Sequence, residues 1–196
     1  MDASGGLSNG MTNIIRLIVF PLIVMMLLCV STVINAADTA YRKLLLKDLD
    51  DYLVCWQNEN YRCMATYVVP GVVEELGGVE GFIKTMESVP ALFEAQGMEL
   101  DVSSMNMGVP SPLAEYKDVL MSVVPTRIPL KINGERAVLN GSIVALSENQ
   151  GQRWYYIDGT TEGLQFLAST FGDELFRSIV VPKNTIELNG NLFELD

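Results

Sequence analysis

The spacing of the apolar residues changes once along this chain, and that change sets its fold class. Between Tyr41 and Trp56 the side chains of Tyr41, Leu45, Leu49, Tyr52, Leu53 and Trp56 recur at three- and four-residue intervals, while Arg42, Lys43, Lys47, Asp50 and Asp51 fall largely elsewhere. This pattern predicts one amphipathic helix with an aromatic stripe. The polar stretch Gln57 to Asn60 reads as a turn, and Tyr61 to Tyr67 predicts a second short helix. That helix should end before Pro70, because the residue ahead of a proline is pushed out of the helical region. Val79, Phe82, Ile83 and Met86 predict a third helix from Val79 to Ser88, stopped by Pro90.

From Met98 onward the apolar residues alternate, with Met98, Leu100 and Val102 set against Glu99, Asp101 and Ser103. The runs "EYKDVLMSVV", "RIPLKIN", "RAVLNGSIVALS" and "QRWYYID" follow, and turns are expected at Pro125, Asn133-Gly134 and Asn149-Gln150-Gly151. Asn140-Gly141 inside an otherwise good strand predicts a bulge. After Asp158-Gly159 a helical pattern returns through Leu164, Leu167, Ala168 and Phe171, and Pro182 should break it. The closing "TIELNGNLFEL" predicts a short hairpin around Asn189-Gly190. Helices followed by strands make an α+β chain. The expected architecture packs the N-terminal helices in the concavity of a curved antiparallel sheet of four to five strands, followed by a C-terminal helix and the short hairpin.

Ahead of this domain, "LIVFPLIVMMLLCV", Leu17 to Val30, is an apolar run behind Arg16 and is followed by "STVINAAD". Residues 1–36 therefore read as a signal peptide cleaved after Ala36 or Ala37, leaving one domain over 37–196. In the alternative reading Leu17 to Ile34 stays as an anchor, since about 17 to 25 apolar residues span a bilayer. A lipoprotein reading on Cys29 is disfavoured, because Leu28 stands where a small residue is needed. Export places the domain in the periplasm or outside the cell. A retained leader would tether it to the membrane, still outside the cytoplasm.

In an oxidising compartment a disulfide is the default reading of Cys55 and Cys63. Residues eight apart on one helix would lie about 12 Å apart along its axis, whereas a disulfide needs α-carbons within about 7 Å. The chain must then reverse between them. The other reading is two separate buried thiols packing as small hydrophobes. A redox role would need a depressed thiol pKa, and Arg62 is the one nearby cation in the sequence.

Composition excludes several chemistries. At 196 residues, 49% hydrophobic and 19% charged, the chain is too apolar for disorder. Its net charge of −11 repels phosphate backbones and anionic lipid, so no nucleic-acid partner is expected. The chain has no histidine, which removes Ser-His-Asp and Cys-His nucleophile systems and His-ligated zinc or iron. No metal or cofactor is expected, because two cysteines cannot fill a zinc site and "GVVEELGGVEG" lacks the lysine and spacing of a phosphate loop. Base chemistry would fall to a carboxylate, lysine or tyrosine, with Tyr52, Tyr156, Asp101, Asp118 and Asp158 as the ingredients. A binding site needs less: Tyr52, Trp56, Phe82, Met86, Trp154 and Tyr156 would form an apolar pocket with polar tips if they converge. The same residues would equally build a filled core.

The segment "LDDYLVCWQNENYRCMATYVVPGVVEELGGVEGFIKTME" resembles the opening of nuclear-transport-factor-2-like domains, the α+β cone also seen in ketosteroid isomerase and polyketide cyclases. "GQRWYYIDG", Gly151 to Gly159, looks like that family's last long strand, and the residues from about 160 onward exceed what the cone requires. The resemblance implies a pocket walled by a concave sheet and plugged by the first helix, with homodimerisation through the convex sheet. The same cone hosts enzymes, carriers and adaptors. The expected function is an exported, non-catalytic binding or interaction domain for a small apolar ligand or a partner protein, meeting a membrane only if the leader is retained. The alternative is a small carboxylate and tyrosine isomerase or hydrolase of the ketosteroid-isomerase type.

Overall fold

A helix covers residues 39–57 (α1) in the computed structural model, which describes residues 39–195. The leader, its cleavage or anchor readings and Cys29 lie outside the described residues. The three- and four-residue spacing works as expected: Leu45, Leu49, Tyr52 and Cys55 are buried along one side of α1. Asn60 then starts the next helix, Tyr61–Met64 (α2), by accepting a hydrogen bond from the Cys63 backbone N–H at 3.1 Å. A short polar side chain in that place satisfies one of the N–H groups a helix start leaves over.

The second helix ends before Pro70 as expected, at Met64, but Pro70 does not leave the chain irregular: it is the first residue of a further helix, Pro70–Glu75 (α3). Its missing N–H would be unpaired at a first-turn position in any case, and its fixed φ suits the helix. Pro90 does not stop the third helix, which runs from Gly78 to Glu94 (α4) with the proline inside it. The reason is packing. Buried Phe82 and half-buried Met86, Val89 and Phe93 continue the three- and four-residue stripe past Ser88, and that burial outweighs the one helical hydrogen bond a proline removes.

The strands are Met98–Leu100 (β1), Asn106–Met107 (β2), Ala114–Tyr116 (β3), Val119–Ile132 (β4), Glu135–Ser147 (β5), Tyr155–Asp158 (β6), Thr185–Leu188 (β7) and Asn191–Glu194 (β8). Helix α5, Thr161–Phe171, lies between β6 and β7. The fold is α+β, with helices and one open antiparallel sheet. Its eight strands exceed the four or five expected, yet they occupy five positions: β1, β2 and β3 share one flank of β4, and β6 and β7 share the outer flank of β5.

The prolines of β4 explain that broken flank. Pro125 was expected at a turn, but β4 passes straight through both Pro125 and Pro129. The Pro125 carbonyl accepts from Gly108 N and the Pro129 carbonyl from Asp101 N, so both residues turn their hydrogen-bonding edge toward the short strands. A proline has no N–H to give there, and the ladder is interrupted between β2 and β3 and between β1 and β2. The real turn precedes β4 at Lys117 and Asp118, whose φ angles of 47° and 66° make the left-handed pair that a two-residue hairpin favours.

Asn133-Gly134 closes the β4–β5 hairpin as expected. The predicted bulge at Asn140-Gly141 is absent, and the β4–β5 register runs unbroken from Leu120↔Ser147 to Ile132↔Glu135. Gly141 serves close approach: a Cβ there would stand 3.1 Å from Asn184 Oδ1 and from Thr126 Oγ1.

Side chains of β4 and β5 alternate between two buried clusters. Leu120, Val124, Ile143 and Ala145 meet α1, α2 and α4, whereas Val119, Met121, Val123, Val144 and Leu146 meet Leu167, Leu175 and Ile179. Both sheet faces are covered at this end, where the sequence reading gave the helices one face. The residues after Gly159, read as an addition, supply the second cover through α5 and widen the sheet through β7, which pairs with Ala137–Asn140 of β5.

Candidate functional site

Three chain segments meet at Tyr52. Helix α1 carries it on its buried stripe, after Leu45 and Leu49, and β6 brings Tyr156 against it, with ring centroids 4.7 Å apart. The segment before α3 lies along β6: Tyr156 N donates to Tyr67 O at 2.7 Å, and Val69 N donates to Tyr156 O at 3.1 Å. The Tyr156 hydroxyl reaches Leu45 O at 3.5 Å, and the Trp154 backbone N–H donates to buried Asp48 at 3.1 Å. Arg153 covers this edge, its guanidinium 4.5 Å from the Tyr67 ring centre and donating to Thr66 O at 2.6 Å.

Burial pushes both phenols well above the ordinary tyrosine range. For Tyr52 the charge of Asp158 adds to burial, and for Tyr156 the charge of Asp48 does so. Both are neutral hydroxyls at any physiological pH.

The six predicted pocket residues do gather at one cluster, but in two roles. Tyr52, Phe82, Trp154 and Tyr156 are buried within it, while Trp56 and Met86 are half-buried at its margin. Those last two open onto a cleft of about 120 Å³. Trp56 and Tyr61 form its wall at the α1–α2 junction, Met86, Val89 and Pro90 contribute from α4, and Leu100 and Val102 close it from β1 onward. Gln57 ties the end of α1 to this side by donating to Met105 O at 3.2 Å. The Cys55–Cys63 disulfide, with α-carbons 5.6 Å apart, fixes α2 to α1 just below.

Three carboxylates, Glu59, Glu94 and Glu99, stand at the cleft, and among the described residues no lysine or arginine lines it. Glu99 is already paired with Lys131 at 2.8 Å. The Tyr61 phenol is pushed up by burial first and then by the charges of Glu59 and Glu87. Sequence reasoning missed Tyr61, Val89, Leu100 and Val102 as lining residues. Val89 carries a readable signal, three residues beyond Met86 on the same helical face, but lies past the Ser88 end that a stop at Pro90 implies.

The acid–base ingredients do not assemble. Asp101 follows β1 instead of lying on a strand, and its carboxylate accepts from Ser103 Oγ at 2.6 Å and Ser104 N at 3.3 Å, which holds its pKa below the usual range. Asp118 is exposed in the β3–β4 turn, not on a strand. Asp158 does end β6; the residue is exposed, yet desolvation raises its carboxyl above the usual range. Among the described residues no three cysteine, aspartate or glutamate side chains gather to hold a metal ion.

Comparison of the chain with family models, with curated proteins and with solved structures gives no match.

Proposed function

We propose that this is an exported, non-catalytic binding domain of the cone type that holds a small apolar ligand in the cleft at Trp56 and Met86. One observation carries the reading. Of the side chains gathered at the Tyr52 cluster, the four that could have walled an interior pocket are packed solid, while Trp56 and Met86 face an apolar recess with polar groups at its rim. Small-ligand sites have that composition. The packing of α1, α2 and α4 on one face of the sheet, with α1 against Trp154 and Tyr156, supports the cone-type placement. The Cys55–Cys63 bridge is consistent with an oxidising, exported location, and among the described residues no helix is long and apolar enough to cross a membrane.

The test uses hexan-1-ol, a neutral chain of suitable size, followed by NMR. Binding should shift the Met86 methyl and the Trp56 indole resonances and leave the indole of fully buried Trp154 unmoved. No saturable shift at Met86 or Trp56 at millimolar ligand would remove the reading.

A second reading, carboxylate and tyrosine chemistry, draws on Asp158, whose raised carboxyl influences the Tyr52 phenol. It is the weaker one, because Tyr52 is buried, accepts a hydrogen bond from Trp56 and faces Tyr156. A ligand that shifts Asp158 and Tyr52 resonances while Trp56 stays still would favour it.

A further inference from the structure

We infer that the preferred occupant of the Trp56 cleft is a small amphipathic organic cation, an alkylammonium with a hydrocarbon body; the inference rests on the binding reading above. The recess joins two kinds of wall. Trp56 and Tyr61 supply aromatic surface, and an aromatic face attracts a cation through its quadrupole, most strongly for tryptophan. Glu59 and Glu94 supply carboxylates that make no ion pair among the described residues, whereas Glu99 is paired to Lys131. A neutral ligand would use only the apolar floor. An anionic one would meet three carboxylates. A cation satisfies both walls, and its hydrocarbon part covers Met86 and Val89.

The size agrees with such a ligand. A cleft of about 120 Å³ admits several waters, since one needs only about 10 to 15 Å³ of such volume, and so has room for an ammonium head and a short chain. Two nearby cations are already engaged and do not oppose the ligand: Arg62 pairs with Glu80 at 2.6 Å and Lys131 with Glu99 at 2.8 Å. The chain's net charge of −11 adds a long-range attraction for cations at low salt.

The experiment is a calorimetric titration of the whole protein with hexylammonium, hexan-1-ol and hexanoate, which share one chain length and differ in charge. Hexylammonium should bind about tenfold more tightly than hexan-1-ol, a gain of about 1.4 kcal/mol, and hexanoate more weakly than either. Raising the salt concentration should reduce the hexylammonium advantage, since partly exposed charges are screened. The double variant Glu59→Gln with Glu94→Gln, both exposed and so tolerable to the fold, should abolish the difference in affinity between hexylammonium and hexan-1-ol. Equal binding of the cation and the alcohol to the unmodified protein overturns this inference and leaves the apolar cleft standing. Absence of binding by both overturns the inference and the cleft reading together.

Discussion

Tyr52 of α1 lies stacked on Tyr156 of β6, with ring planes 17° apart and centroids 4.7 Å apart. The pair couples the first helix to a strand more than a hundred residues later, and both rings are at least 96% buried, at 4% and 0% exposure. Tyr52→Ala should therefore cost on the order of 3 to 5 kcal/mol, as for other large aromatic truncations. Tyr52→Phe should cost no more than about 1 kcal/mol, because it removes one hydroxyl hydrogen bond and leaves the ring. Urea denaturation of the two variants checks this: similar losses would show that the hydroxyl, and not the stacked ring, holds α1 to the sheet.

The Cys55–Cys63 bridge closes a loop of eight residues' separation across the α1–α2 turn. Loop-closure entropy puts its contribution at about 2 to 3 kcal/mol. The intact protein should run 2 Da below its fully reduced mass, about the mass of the two hydrogens lost when a bridge forms. Cys55→Ser with Cys63→Ser should lower the urea midpoint by an amount matching that free energy without changing the far-ultraviolet spectrum. Equal stability of the oxidised and reduced proteins would show that α1 and α2 are held by packing around Met64 alone.

Much of the fold was legible because the two apolar periods are strong where packing is simple. The α1 stripe, the Asn133-Gly134 hairpin and the terminal hairpin at Asn189-Gly190 all depend on nearby residues. The misreadings cluster at proline. Pro90 and Pro125 act as stops in an isolated peptide, but tertiary context gives each a place: the exposed side of a helix whose other face is buried, and an interrupted sheet edge. The Lys117-Asp118 turn escaped notice because it contains no glycine or asparagine. The six candidate residues lie in or against one cluster, but their sorting into core and cleft depends on β1 and α2, which no local pattern placed opposite Trp56.

Gly159 follows β6 and donates its N–H to Ser142 O at 2.8 Å. A Cβ there would meet the Ser142 carbonyl oxygen at 2.9 Å, and Ser142 Oγ more closely still. The backbone oxygen cannot swing away without breaking that hydrogen bond. Gly159→Ala should cost about 1 to 3 kcal/mol, the range for forcing extra volume into a packed site. Thermal melts check it, and an unchanged Tm would show that the β6–α5 corner has slack.

Asp158 gives stability a pH trend, a small one because the residue is exposed to solvent. Its carboxyl titrates above the ordinary value in the fold because of desolvation, whereas in the unfolded chain it titrates near pH 3.9. The folded state therefore holds this proton more tightly. The group's effect on stability is neutral below about pH 3.9, turns unfavourable as pH rises from there to the folded pKa, and stays at a constant penalty above it. Asp158→Asn removes the penalty, so the variant should melt higher than the unmodified protein at pH 7, with the gap shrinking as the pH is lowered toward 4. A variant that melts lower at neutral pH would mean the carboxylate is stabilised by a neighbour.

Pro90 sits inside α4, where it has no N–H to offer Met86 O and its ring crowds the preceding turn. An interior proline disfavours a helix by about 3 kcal/mol relative to alanine, and its stiffening of the unfolded chain returns about 0.4 to 1 kcal/mol. Local adjustment of α4 relieves a further part of the strain, so Pro90→Ala should stabilise the domain by about 1 to 2 kcal/mol, read as a higher urea midpoint. The same change strips ring carbons from the wall of the Trp56 cleft, and hexan-1-ol should bind more weakly to the stabilised variant. Those two shifts in opposite directions separate a residue kept for the cleft from one kept for the helix. If Pro90→Ala lowers stability as well, the ring is packing that α4 needs, and the cleft wall is a by-product of it.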